Sequence, residues 1–112
     1  MRESQIERSL TVESTWPADD WRSTYFVPEN LRESVAHADA LRPLVPADST
    51  LPEIALRFIL AHPAVSTIIP GMRKLRHVEA NMTASDKGPL DEELIAKLRP
   101  HRWVRTPTEW SQ

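Results

Sequence analysis

Ten prolines set against two glycines constrain this 112-residue chain before any finer pattern is sought. Proline locks φ and removes a backbone donor, so each one opens, kinks or ends an element. Two glycines leave few places for the φ > 0 turns that join tight hairpins. The balance predicts several short helices separated by stiff joints, not a meander of strands. At this length the chain holds at most one small domain, and an apolar share of 40% suits a folded segment over a disordered one.

Charge narrows the partners. Fourteen Lys and Arg against sixteen Asp and Glu leave a net charge of −2, which gives no general attraction to nucleic acid or to anionic lipid. Any phosphate affinity must therefore be local. The absence of cysteine excludes disulfides and thiolate chemistry. The opening MRESQIERSL is charged throughout and has no apolar h-region, and no stretch approaches the roughly 20 apolar residues needed to cross a bilayer. The expected location is the cytoplasm, with no membrane partner.

Along the chain, residues 1–27 show no sustained period. Leu10, Val12, Trp16, Trp21, Tyr25 and Phe26 are scattered among polar residues, which reads as a loop or arm with aromatic anchors, opening on a short helical piece around Ile6. Pro28-Glu29-Asn30 then starts a helix in which Leu31, Val35, Ala38, Leu41 and Leu44 or Val45 share one face, and Pro43 and Pro46 stop it. Thr50 with Glu53 forms a capping box, and Pro52 is tolerated in the first turn. The helix that follows, 51–61, is apolar round most of its circumference and calls for neighbours on more than one side. His62-Pro63 ends it. Near the C-terminus Asp91 is the N-cap of a last helix, with Leu94, Ile95 and Leu98 inward and Pro100 at its close. The expected organisation is an arm over 1–27, a body over 28–99 and an aromatic, basic, aperiodic tail over 100–112.

The chemistry concentrates in AVSTIIPGMRKLRHVEAN, residues 64–81. Val65–Ile69 is short and β-branched, the pattern of a strand buried on both faces in a parallel sheet. Pro70-Gly71 turns it into a basic helix carrying Leu75, Val78 and Met82 as its apolar stripe. A helix N-terminus offers free N–H groups and a positive dipole end to an anion, and guanidinium groups beside it add charge-assisted hydrogen bonds. Composition alone leaves Arg73, Lys74 and Arg76 open between a phosphate clamp and a solvated helix start.

With these elements in place, LRPLVPADSTLPEIALRFILAHPAVSTIIPGMRKLRHVEANM followed by PLDEELIAKLR resembles the C-terminal end of an aldo-keto reductase, well over residues 31–99 and more loosely back through WPADDWRSTYFVPENL. That resemblance implies part of a (β/α)₈ TIM barrel: a mostly α segment with one short parallel-type strand, equivalent to the last helices and the final strand. Val65–Ile69 would be the eighth strand and 75–83 the helix after it. In the family this strand-turn-helix grips the adenosine 2′-phosphate of NADPH. Gly71 matches the turn glycine, Arg73 the 2′-phosphate arginine and Asn81 the asparagine that meets the adenine edge; Lys74 and His77 are candidate cofactor contacts behind these, His77 being open between facing a phosphate and a surface role. Arg suits the task because its planar fork gives two parallel hydrogen bonds to phosphate.

The match departs from the family pattern in places. His77 stands where Gln or Arg is usual, and Ala80 where a Glu assists the asparagine. The family's Leu-Thr-Gly-Lys, which arches over the pyrophosphate, is Leu10-Thr11-Val12-Glu13 here. The Asp, Tyr, Lys and His that perform the family's carbonyl reduction have no matching motif, and Tyr25 matches no catalytic position. The expectation is an NADP-binding oxidoreductase fragment without catalytic residues.

The remaining candidates read more simply. His37, His62, His77 and His101 show no i, i+4 metal-ligand spacing, so no metal site is expected. His62 before Pro63 suits a helix end, where its charge would complement the dipole. Asp19-Asp20 fits a solvated turn better than an acid–base pair, and Trp16, Trp21, Trp103 and Trp110 fit loop and tail packing better than base stacking. A competing reading is a non-catalytic interaction module. One parallel strand without a partner, beside an apolar helix with one wall missing, would pair with a second copy or with an incomplete barrel. Helices separated by HPAVSTIIPG are too far apart for a DNA-binding helix-turn-helix.

Overall fold

In the computed structural model the described residues are 10–105 and 107. They form five α-helices: α1 (Trp21–Tyr25), α2 (Pro28–Leu41), α3 (Leu51–Leu60), α4 (Leu75–Lys87) and α5 (Glu92–Leu98). Two 3₁₀ turns, Arg42–Leu44 and Arg99–His101, follow α2 and α5. The chain divides into two compact units. One comprises the described part of Met1–Leu41 and His101–Gln112, and the other comprises Arg42–Pro100.

In the first unit, the arm expected to be irregular contains a short helix. Asp20 is the reason: its carboxylate accepts from the Arg22 backbone N–H at 2.9 Å, capping α1, and pairs with the Arg22 side chain at 2.6 Å. The expected helical piece around Ile6 lies outside the described residues. Trp16 stacks on Phe26 at 5.2 Å and Tyr25 meets Phe26 edge-on at 4.8 Å, so these rings pack on one another within the segment. Pro28 opens α2, and buried Asn30 donates from Nδ2 to the Tyr25 carbonyl at 2.8 Å, tying the end of α1 to the start of α2. His37 on α2 lies flat against Trp103, ring centroids 4.0 Å apart.

In the second unit α3 packs on α4, and α5 packs on the first 3₁₀ turn. Thr50 caps α3 by accepting from the Glu53 N–H at 3.3 Å, and Asp91 caps α5 by accepting from Leu94 N–H at 2.8 Å. The reciprocal half of the capping box is replaced. Glu53 turns its carboxylate to Lys87 at 3.0 Å and Arg57 at 3.6 Å, binding α3 to the end of α4. Leu94, Ile95 and Leu98 face inward, half-buried. Ile54, Ala84 and Leu90 form the buried apolar centre of this unit.

Two expectations are corrected. Among the described residues no β-strand forms: Val65–Ile69 carries no regular secondary structure, and Ile69 is 95% exposed. A strand requires a neighbour to complete its ladder, and a short β-branched run does not bring one. The inward face of α4 is also different. Leu75 and Met82 are 74% and 60% exposed, whereas His77, Val78, Asn81 and Ala84 turn inward, because the packed row runs through 77, 81 and 84 at helical spacing. Helix α3 packs on α4 and leaves Phe58 45% and Ile59 42% exposed, so its apolar circumference is covered only in part.

Candidate functional site

The segment from Pro70 to Asn81 is built around the start of α4. Lys74 is its N-cap residue, with extended backbone (φ −124°, ψ 152°), and gives no side-chain capping hydrogen bond. The first turn contains no acid, whereas α2, α3 and α5 carry Glu29, Glu53 and the pair Glu92 and Glu93 in theirs. Arg73, Lys74 and Arg76 are exposed there instead. Cations at the positive end of a helix dipole are unfavourable by themselves, by roughly 0.3–1 kcal/mol each. The first N–H groups of any helix also lack intrahelical acceptors. A phosphate would satisfy both conditions at once.

Asn81 and Gly71 come together. The Asn81 amide nitrogen donates to the Gly71 carbonyl at 3.1 Å, closing the bend that carries Arg73 and Lys74. Gly71 is exposed, a Cβ there would meet nothing within 4 Å, and its φ is outside the left-handed region. The positive φ belongs to the other glycine, Gly88, at 76°. His77 lies one helical turn before Asn81 on the inward face, with Nε2 buried and without a hydrogen-bond partner among the described residues. Arg73 and Lys74 thus sit on the open side of the bend, and Asn81 and His77 on the packed side.

Other candidates take structural roles. His62 follows the C-cap of α3, and its Nδ1 accepts from the Ala64 N–H at 3.1 Å, so the ring shapes the turn that leaves the helix. Asp20 is held down to about pKa 2, chiefly by the Arg22 side-chain hydrogen bond and then by the Arg22 backbone N–H. Thr11 and Ser14 close a small turn over Leu10-Thr11-Val12-Glu13, with the Thr11 N–H donating to Ser14 Oγ at 2.8 Å. Among the described residues, no three His, Asp or Glu side chains gather as metal ligands, and no helix is long and apolar enough to cross a membrane.

Arg57 was missed by the sequence reading. Its Nε donates to the Gly88 carbonyl at 2.8 Å, and its own carbonyl accepts from the Leu90 N–H at 3.4 Å. It therefore fixes the connection out of α4. A lone Arg within the apolar run of α3 was the available signal.

The family model described as Aldo/keto reductase family matches residues 18–102, most of the chain. The Uncharacterized oxidoreductase YqkF of Bacillus subtilis (strain 168) is 32% identical over 69 residues, which is 62% of this chain and 22% of that protein. The chain thus spans about a fifth of the length of the curated relative it matches. No solved structure matches it.

Proposed function

The chain belongs to the aldo/keto reductase family, and on that premise we propose that it carries the part of an NADP(H)-dependent oxidoreductase that grips the adenosine 2′-phosphate. The observation that carries the reading is the start of α4: an exposed Arg73 and Lys74 before a helix without a side-chain cap and without an acid in its first turn. The donor set suits the group. Arg73 would give paired hydrogen bonds to the 2′-phosphate, Lys74 a further cationic donor, and the helix N–H groups the remainder. Gly71 lies in the bend with its carbonyl held by Asn81, and His77 is one turn before Asn81 on the inward face of α4.

NADPH, when bound to the family's complete barrel, supplies a hydride to a carbonyl. The Asp, Tyr, Lys and His that would assist that step match no motif of this chain, and what these residues would supply is cofactor holding. Titration of the chain with 2′-phospho-AMP and with AMP tests the reading. Tighter binding of the doubly phosphorylated nucleotide is expected, and equal affinity for the two contradicts a 2′-phosphate site.

A second reading has its own support. Ile69, Met72, Leu75 and Met82 are all more than half exposed around an unpaired 65–70 segment. A non-catalytic module that pairs with itself or with an incomplete barrel would cover them. Sedimentation discriminates: a strictly monomeric, cooperatively folded chain at micromolar concentration argues against it.

A further inference from the structure

The bend at Pro70–Lys74 has little of its own to hold it. Gly71 and Met72 are exposed, Ile69 is almost fully so, and Gly71 has neither a left-handed φ nor a packed neighbour to require its conformation. Val65–Ile69, leading into it, belongs to no sheet. The helix on the other side is firmly seated: Ala84 on α4 is 1% exposed, and Lys87 is paired with Glu53. Asn81 connects the two. It stands one turn before Ala84 on the seated face and donates across ten residues to the Gly71 carbonyl. A carbonyl can only accept, so the amide must turn its nitrogen to the bend.

We propose that Asn81 is a positioning residue for the phosphate site. By holding the Gly71 carbonyl it fixes the path of the backbone into α4, and so fixes where Arg73 and Lys74 stand. This rests on the cofactor reading above, and differs from a direct contact between Asn81 and the base. A tether that orders the bend in advance lowers the conformational cost of binding, whatever the rest of the ligand is. Its contribution is accordingly independent of the adenine.

The test uses the full chain with Asn81→Ala and with Asn81→Leu, which keeps the volume and stays neutral but cannot donate. Amide hydrogen exchange is measured over residues 71–75 and over 83–87, and affinity is measured for two probes: 2′-phospho-AMP and ribose 2,5-bisphosphate, which has no base. Exchange over 71–75 is expected to rise several-fold in both variants with 83–87 unchanged. Both probes are expected to lose affinity by the same factor, about five- to tenfold. Unchanged exchange at 71–75, an equal rise over 83–87, or a loss confined to the probe with a base would each overturn the proposal. Failure of the native chain to bind either probe would remove the cofactor reading and, with it, the positioning role, while the exchange comparison still shows whether Asn81 tethers the bend.

Discussion

The Arg57 guanidinium donates from Nε to the carbonyl oxygen of Gly88, 31 residues later, at 2.8 Å. Its Nη1 lies 3.6 Å from Glu53 and its backbone carbonyl receives the Leu90 N–H. One residue thereby fastens the connection between α4 and α5 along α3, with Leu90 buried beneath it. The apolar centre it adjoins is small, since Ile54, Ala84 and Leu90 are the hydrophobic side chains buried in this unit among the described residues.

Arg57→Ala is expected to destabilise the chain by about 2 kcal/mol, the usual range for a part-buried hydrogen bond from a charged donor. Arg57→Lys keeps a cation near Glu53 but not the fork, and should recover about half of that loss. Urea unfolding followed by circular dichroism measures both. Equal stability of all three proteins would dismiss the fastening.

The two glycines should respond oppositely to alanine. Gly88 has φ 76° and ψ −166°, a region nearly closed to L side chains, so Gly88→Ala should cost about 1–3 kcal/mol. Gly71 has ordinary φ and open space around its Cα, so Gly71→Ala should leave stability within about 0.5 kcal/mol of the native value. Thermal melts of the two variants check the contrast.

Acid should remove a stabilising contribution made by Glu53. Burial alone would push its carboxyl up, but hydrogen bonds from Lys87 and Ser49 and the charges of Lys87 and Arg57 outweigh burial and hold it below the ordinary range. A carboxyl depressed in the folded state contributes stability above its unfolded pKa, and that contribution is lost as pH falls through the folded value. Stability should therefore decline between about pH 4 and lower pH more steeply in the native chain than in Glu53→Gln. Parallel pH profiles would contradict this. Asp20, held at about 2 by Arg22, should titrate near that value by carboxyl-carbon NMR and move up toward the ordinary aspartate range, about 3.9, in Arg22→Gln.

Local signals were legible and distant ones were not. Thr50 and Asp91 cap their helices because a cap is decided within four residues, all visible in the sequence. Glu53 was expected to close a box with Thr50, yet two cations, one of them 34 residues away, take its carboxylate. Leu75 and Met82 suggested an apolar stripe on α4, but hydrophobicity does not choose the buried face when small Ala84 can seat the helix more closely. Val65–Ile69 had the composition of a strand and lacked what composition cannot provide, a partner for its ladder. Of the site residues, the placement of Arg73 and Lys74 before a helix was legible from Pro70-Gly71 and the basic run, whereas the Asn81 tether, a side chain reaching back to a carbonyl, was not.

The 2′-phosphate site stands or falls with Arg73 as an anion-holding side chain at the start of α4, which has no side-chain cap. Calorimetric titration of 2′-phospho-AMP into the native chain and into Arg73→Ala tests it most directly. The variant should bind ten- to a hundredfold more weakly, a loss of roughly 1.5–3 kcal/mol, with its circular dichroism unchanged. Equal affinity in the two proteins would contradict the account.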